Sequence, residues 1–181
     1  SEVEKLVADA DKLIKDHRKL VEEAKKRLDE VNERHRRLVE EVERRLDKSN
    51  KELEDLVRSG VDEDDARRVL EDNERLNKEA NDRSKEMLDR NRDLNRRINE
   101  TSERILKKIE DLLEDVRRRT DDRRADEELR RISERVKRSN EDVRKKSEDD
   151  KRHTDESDRD VKRLSKEDRE RSETLMDRVR E

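Results

Sequence analysis

The chain predicts an all-α fold: an antiparallel three-helix bundle of long, nearly straight helices with an 18-residue core repeat. Three observations carry that prediction. Charged residues are 60% of the 181 positions and hydrophobic residues 25%, with no Pro, no Cys, no aromatic residue and one Gly. Chains dominated by Asp, Glu, Lys, Arg and Leu form long helices, whereas an ordinary globular domain is roughly 45–50% apolar. The few apolar residues recur at helical steps of three and four, and this periodicity, with a net charge of only −4, separates the chain from a disordered one. Polar residues that would ordinarily spoil a core recur at an interval of 18: His17 and His35, Asn32 and Asn50, Asn73 and Asn91, Asn77 and Asn95, Asn81 and Asn99, Ser84 and Ser102, Ser139 and Ser157. At about 3.6 residues per turn this interval is about five whole turns, so each pair lies on one side of its helix.

Helix one is expected over about 2–59. Its inward face carries Val3, Leu6, Ala10, Leu13, His17, Leu20, Ala24, Leu28, Val31, His35, Leu38, Val42, Leu46, Ser49, Leu53 and Leu56, widened by Val7, Ile14, Val21, Val39 and Val57. A strict heptad repeat would wind into a left-handed supercoil; a period averaging about 3.6 calls for little or none. The stop is legible. Gly60 stands where a helix takes a left-handed C′ residue. Asp62 then reads as an N-cap, with Asp65 in the capping-box position and Val61 and Ala66 at the staple positions. So short a turn makes helices one and two antiparallel neighbours.

Helix two, expected over 62–119, repeats the ladder at Ala66, Val69, Asn73, Leu76, Ala80, Ser84, Met87, Asn91, Leu94, Ile98, Ser102, Ile105, Ile109, Leu112 and Val116. The second turn is placed around 119–125, where Ala125 is the only apolar residue and Thr120, Asp121, Asp122 and Asp126 offer caps. Helix three, over 123–180, continues through Leu129, Ile132, Val136, Val143, Val161, Leu164, Leu175 and Val179. Residues 1–181 thus read as a single bundle of three helices, each roughly 85 Å long at about 1.5 Å per residue. Helix three is the odd member. Residues 144–160 contain no apolar side chain, and helices gain most of their stability from packing an apolar face, so this stretch is expected to open first.

Antiparallel pairing gives a crude register, in which partners in helices one and two have numbers summing to about 120 and partners in helices two and three to about 241–245. It brings His17 to Ser102, Ser139 and Asn140. It also brings His35 to Ser84 and Ser157, with His153 and Thr154 one turn away. These are two copies of one layer. Asn32 with Asn91 and Asp150, and Asn50 with Asn73 and Asp168, are candidates for two more, to which Ser147 and Ser165 could add hydroxyls; Asn95 continues the asparagine row of helix two. Buried polar groups need partners, and a satisfied network penalises a slipped register because sliding a helix by one turn leaves several groups unpaired.

Most activities find no support. No run of about 18 apolar residues spans a membrane, and the polar faces lack Lys-rich character and aromatic anchors. Nucleic-acid binding lacks aromatics and net positive charge. There is no glycine loop for phosphate, and no thiolate or His pair at i, i+4 for a metal. Ser, His and Asp are plentiful, but uninterrupted helices spend their backbone N–H groups internally and leave no oxyanion site. Neither an enzyme nor a cofactor, metal or small-molecule substrate is therefore expected. Ser1-Glu2-Val3-Glu4-Lys5 lacks the basic and apolar regions of a signal peptide, and recombinant cytoplasmic expression is the expected setting.

Aromatics, Pro and Gln are all absent over 181 residues, which is hard to reconcile with natural descent. With its 18-residue ladder, the Asn73/Asn77/Asn81 and Asn91/Asn95/Asn99 rows and the Ser59-Gly60-Val61-Asp62 turn, the whole chain resembles computationally designed helical bundles with buried hydrogen-bond networks. The resemblance implies a soluble scaffold built to test or use a polar core, requiring no partner. One departure is the scarcity of Leu and Ile in helix three. It keeps open an alternative: a conformational switch or heteromer component whose third helix is displaced, answers a partner helix or self-association, and responds to pH through buried histidine.

Overall fold

The computed structural model describes residues 2–60, 62–119, 121 and 123–180, with side chains from residue 4 onward. Three long helices pack against one another as a bundle: α1 (Glu2–Arg58), α2 (Glu63–Arg119) and α3 (Arg123–Arg180). Val61, Thr120 and Asp122, expected at the turns, lie outside the described residues, as does the side chain of Val3. Two compact units are built along these helices, Ser1–Glu30 with Arg92–Lys151, and Val31–Asn91 with Arg152–Glu181. Each draws a section from all three helices.

The first turn follows from two residues. Gly60 has φ +66°, the only positive φ among the described residues. Upstream, the Ser59 amide donates to the Asp55 carbonyl at 3.0 Å and the Ser59 hydroxyl to the same oxygen at 2.7 Å. Downstream, the Asp62 carbonyl accepts from the amides of Asp65 and Ala66 at 3.1 and 3.4 Å, as an N-cap carbonyl does. A Cβ added at Gly60 would meet nothing within 4 Å. Gly60→Ala therefore carries only the backbone penalty of a left-handed L-residue. We expect a loss of about 1–2 kcal/mol in a denaturant titration followed by circular dichroism.

In the first unit, the largest apolar cluster gathers Ile14, Leu106, Ile109, Leu113, Val116, Leu129, Ile132 and Val136 beside the second turn. A second cluster joins Val21, Leu28, Ile98 and Val143. In the other unit, Leu53, Ala66, Leu175 and Met176 close the end beside the first turn, and Leu38, Val42, Leu46, Ala80 and Val161 form the other cluster. No large hydrophobic side chain is exposed among the described residues.

The inward face is rotated slightly from the expected ladder. Ile14 and Val21, expected as flanks, are buried, while Leu13 and Leu20 are half-buried. In α2, Asn77, Asn95, Leu106 and Leu113 are buried and Leu76, Leu94, Ile105 and Leu112 are half-buried. One residue is about 100° of rotation, so a stripe wide enough to hold both positions leaves its centre open until the neighbouring helices are placed. The segment 144–160 is helical throughout and turns Ser147, Asp150, Thr154 and Asp158 inward in place of apolar side chains.

Candidate functional site

Two buried histidines organise the polar interior. His17 is 1% exposed and sits on α1 between a hydroxyl from each other helix: Nε2 lies 2.8 Å from Ser102 Oγ and Nδ1 lies 3.0 Å from Ser139 Oγ. His35 is fully buried, with Nε2 2.6 Å from Ser84 Oγ and Nδ1 2.9 Å from Thr154 Oγ1. A neutral imidazole has one donor and one acceptor, so two hydroxyls satisfy it completely.

The two layers differ in one respect. Ser84 also donates its proton to Asp158 Oδ1 at 2.9 Å, and Lys162 holds that carboxylate at 3.0 Å. With its only proton committed to Asp158, Ser84 must accept from His35, which places the imidazole proton on Nε2 and makes Nδ1 the acceptor of the Thr154 hydroxyl. The chain of donation thus runs from Thr154 through His35 and Ser84 to Asp158. Among the described residues, the His17 layer consists of the imidazole and its two serine hydroxyls, without such a carboxylate.

Burial holds both imidazoles below the ordinary histidine range. At His35 the Asp158 charge partly opposes it. Burial pushes Asp158 up, but hydrogen bonds from Lys162 and Ser84, with the Lys162 and His35 charges, outweigh it and hold the carboxyl below its usual range. The order of groups is wrong for nucleophilic catalysis. A serine nucleophile passes its proton to histidine and the carboxylate orients the histidine, whereas here the carboxylate takes the serine proton.

Asparagines build the remaining layers. Asn91 donates to Asn32 Oδ1 at 3.0 Å, and Asn95 is fully buried one turn on. Asn99 reaches Ser147 at 3.4 Å, and Asn81 reaches Ser165 at 3.0 Å. Asn77 donates to Asp168 Oδ2 at 2.9 Å, and Asn50 also hydrogen-bonds Asp168. Asn73 takes its bond from Ser49 rather than from Asn50. Burial pushes the Asp168 carboxyl above the usual range, and these amides offset only part of that. Lys146 bridges Asp29 at 2.7 Å and the buried Asp150 at 3.4 Å.

Three expected members stand elsewhere. His153 is exposed, and Thr154, the next residue and about 100° further round the helix, takes its place against His35. Ser157 is half-buried, and its neighbour Asp158 makes the bond to Ser84. Asn140 is half-buried, and the ring nitrogens of His17 meet Ser102 and Ser139 instead. Asp158 and Ser172, both buried, had not been expected at all. The interval of 18 contains the signal for them, since it relates Asn140 to Asp158 and Thr154 to Ser172.

No protein-family model matches the chain, and no curated protein is similar to it. A solved chain described as a computationally designed three helix bundle is similar at 15% identity, over 99% of this chain and 94% of that one, with a TM-score of 0.48. No helix of the described residues is long and apolar enough to cross a membrane.

Proposed function

We propose that the chain is a designed structural scaffold without catalytic activity, whose polar core layers specify the register of its three helices. The observation that carries this reading is the pair of histidines 18 residues apart, each bonded through both ring nitrogens to one hydroxyl from each other helix. Burying a satisfied polar group adds little net stability compared with an apolar side chain of the same shape, but it makes misaligned packings costly. Such a device suits a molecule made to adopt one arrangement. The absence of aromatics, Pro and Gln supports a designed origin. The test replaces the His17 layer with apolar residues, as His17→Leu with Ser102→Ala and Ser139→Ala. Thermal stability should be kept or raised while one set of amide NMR signals becomes several; a single set in the variant would remove the reading.

A second reading is favoured by the lowered pKa of both buried histidines. A group whose folded pKa is depressed below its unfolded value of 6.5 loses stability as pH falls through 6.5, because the unfolded chain takes up protons that the folded chain resists. Asp168 acts in the opposite sense, since a raised carboxyl pKa lets the folded state gain protons, and stability, on acidification. Denaturant midpoints should be level above about pH 7 and fall as pH drops below the unfolded histidine value of 6.5. If α3 is the displaceable element, hydrogen exchange in 144–160 should accelerate first over that range. A pH-independent midpoint would sink the switch reading and leave the scaffold.

A further inference from the structure

A cleft of about 790 Å³ opens between α2 and α3, lined from Arg67 to Asp82 on one side and from Asp168 to Arg180 on the other. Small polar residues stand where a bundle normally places leucine. Asn73, Asn77, Asp168 and Ser172 line it at 1%, 6%, 3% and 4% exposure. Each keeps a polar atom with no hydrogen-bond partner: Asn73 Nδ2, Asn77 Oδ1, Asp168 Oδ1 and Ser172 Oγ. These atoms are themselves buried, on residues that line the cleft, and a ligand meets them only after rotation about the side-chain torsions. Buried polar atoms are ordinarily paired, so the three oxygens against one cleft, Asn77 Oδ1, Asp168 Oδ1 and Ser172 Oγ, point to a missing donor, while Asn73 Nδ2 is left to water.

Chemistry narrows what that partner is. Three of the four atoms are oxygens able to accept, and one belongs to a carboxyl whose partners are the neutral amides of Asn77 and Asn50, with the Arg171 charge nearby. Acidic side chains lining the cleft outnumber basic ones six to four. Two of those basic groups are engaged elsewhere: Arg67 and Arg180 both bind Glu63, at 3.2 and 3.3 Å. An anion is therefore disfavoured. No group of three or more ligating side chains among the described residues could hold a metal ion. A guanidinium presents several N–H donors in one plane and matches a carboxylate bidentately. Leu70 and Met176 supply apolar wall for a short hydrocarbon chain.

We propose that this cleft binds an alkylguanidinium cation, its guanidinium donating to Asp168, Asn77 and Ser172 and its alkyl chain lying along Leu70 and Met176. The probe is n-butylguanidinium, with n-butylurea as a neutral control of the same shape. Binding is read by calorimetry and by the side-chain amide NMR signals of Asn73 and Asn77. Saturable shifts at both asparagines are expected, with n-butylurea at least about tenfold weaker because it lacks the charge. Asp168→Asn should weaken n-butylguanidinium by at least about tenfold, and Ser172→Ala by a few-fold. Glu110→Gln, a surface change outside the cleft, should leave it unaltered. If Asp168→Asn fails to fold, Ser172→Ala and the urea control carry the test. No saturable shift up to about 10 mM, equal binding of the urea, or equal affinity in both cleft variants would overturn the proposal and leave ordered water as the partner of these atoms.

Discussion

His35→Ala is expected to lower stability by about 3–5 kcal/mol. The imidazole is fully buried, so its removal opens a void that the surrounding helices close only in part. It also strips the Thr154 hydroxyl, itself 1% exposed, of its acceptor, and Ser84 of its donor. An orphaned buried polar group costs about 1–3 kcal/mol, softened at Thr154 by the chance to bond the carbonyl one turn back. His17→Ala should cost somewhat less, because no carboxylate is chained to its serine and both freed hydroxyls can turn to backbone carbonyls. Adding Ser84→Ala and Thr154→Val to His35→Leu should recover most of the loss by removing the orphans along with the ring. Denaturant titration read by helical circular dichroism measures all of these. A loss under about 1 kcal/mol for His35→Ala would mean that the imidazole is not held by this layer.

Leu129→Ala should cost about 2–5 kcal/mol by the same measurement. Leu129 is 1% exposed and belongs to the largest apolar cluster, with Ile109 and Val116 from α2 and Ile14 from α1. After Ile132, Val136 and Val143, α3 offers no apolar residue before Val161, and polar contacts such as those of Ser147, Thr154 and Asp158 take over there. The apolar anchors of α3 are few and grouped near its ends, so removing one weakens its attachment as well as its packing. Exposed ion pairs such as Arg36 with Glu33 cannot replace it, because pairs of that kind contribute about 0.2–1 kcal/mol each.

The helices and their ends were legible because each rests on local chemistry. Gly60 permits a backbone that other residues resist, the Asp62 carbonyl accepts the first bonds of the next helix, and apolar spacing near 3.6 marks the inward face. The partnership of His17 with Ser102 and Ser139 could be reached by counting residues from the turns. What could not be reached is the rotation of α3 about its own axis. An interval of 18 keeps phase within one helix, but it does not say whether residue 153 or 154, or 157 or 158, faces the neighbours. With no apolar side chain in 144–160, nothing in the pattern marks the inward edge. Asp158 was missed for a related reason: a carboxylate among so many charges reads as solvated until Ser84 and Lys162 are seen on it.

On the proposed scaffold reading, apolar clusters supply the attraction between helices and the polar layers select one alignment. A one-turn slip would move a helix by about 5.4 Å and separate His35 from both hydroxyls. The chain contains no cysteine, so spin labels can be placed at Arg44→Cys and Arg159→Cys, two exposed positions on α1 and α3. The decisive measurement is the distance distribution between those labels by pulsed electron resonance. It is recorded in the otherwise unchanged protein and in a variant with both histidine layers made apolar: His17→Leu, Ser102→Ala, Ser139→Ala, His35→Leu, Ser84→Ala and Thr154→Val. The unchanged core should give one narrow distance, and the apolar core a broadened or split distribution with components about 5 Å apart, at equal or higher stability. One narrow, unshifted distance in both proteins would contradict the claim that these layers set the register.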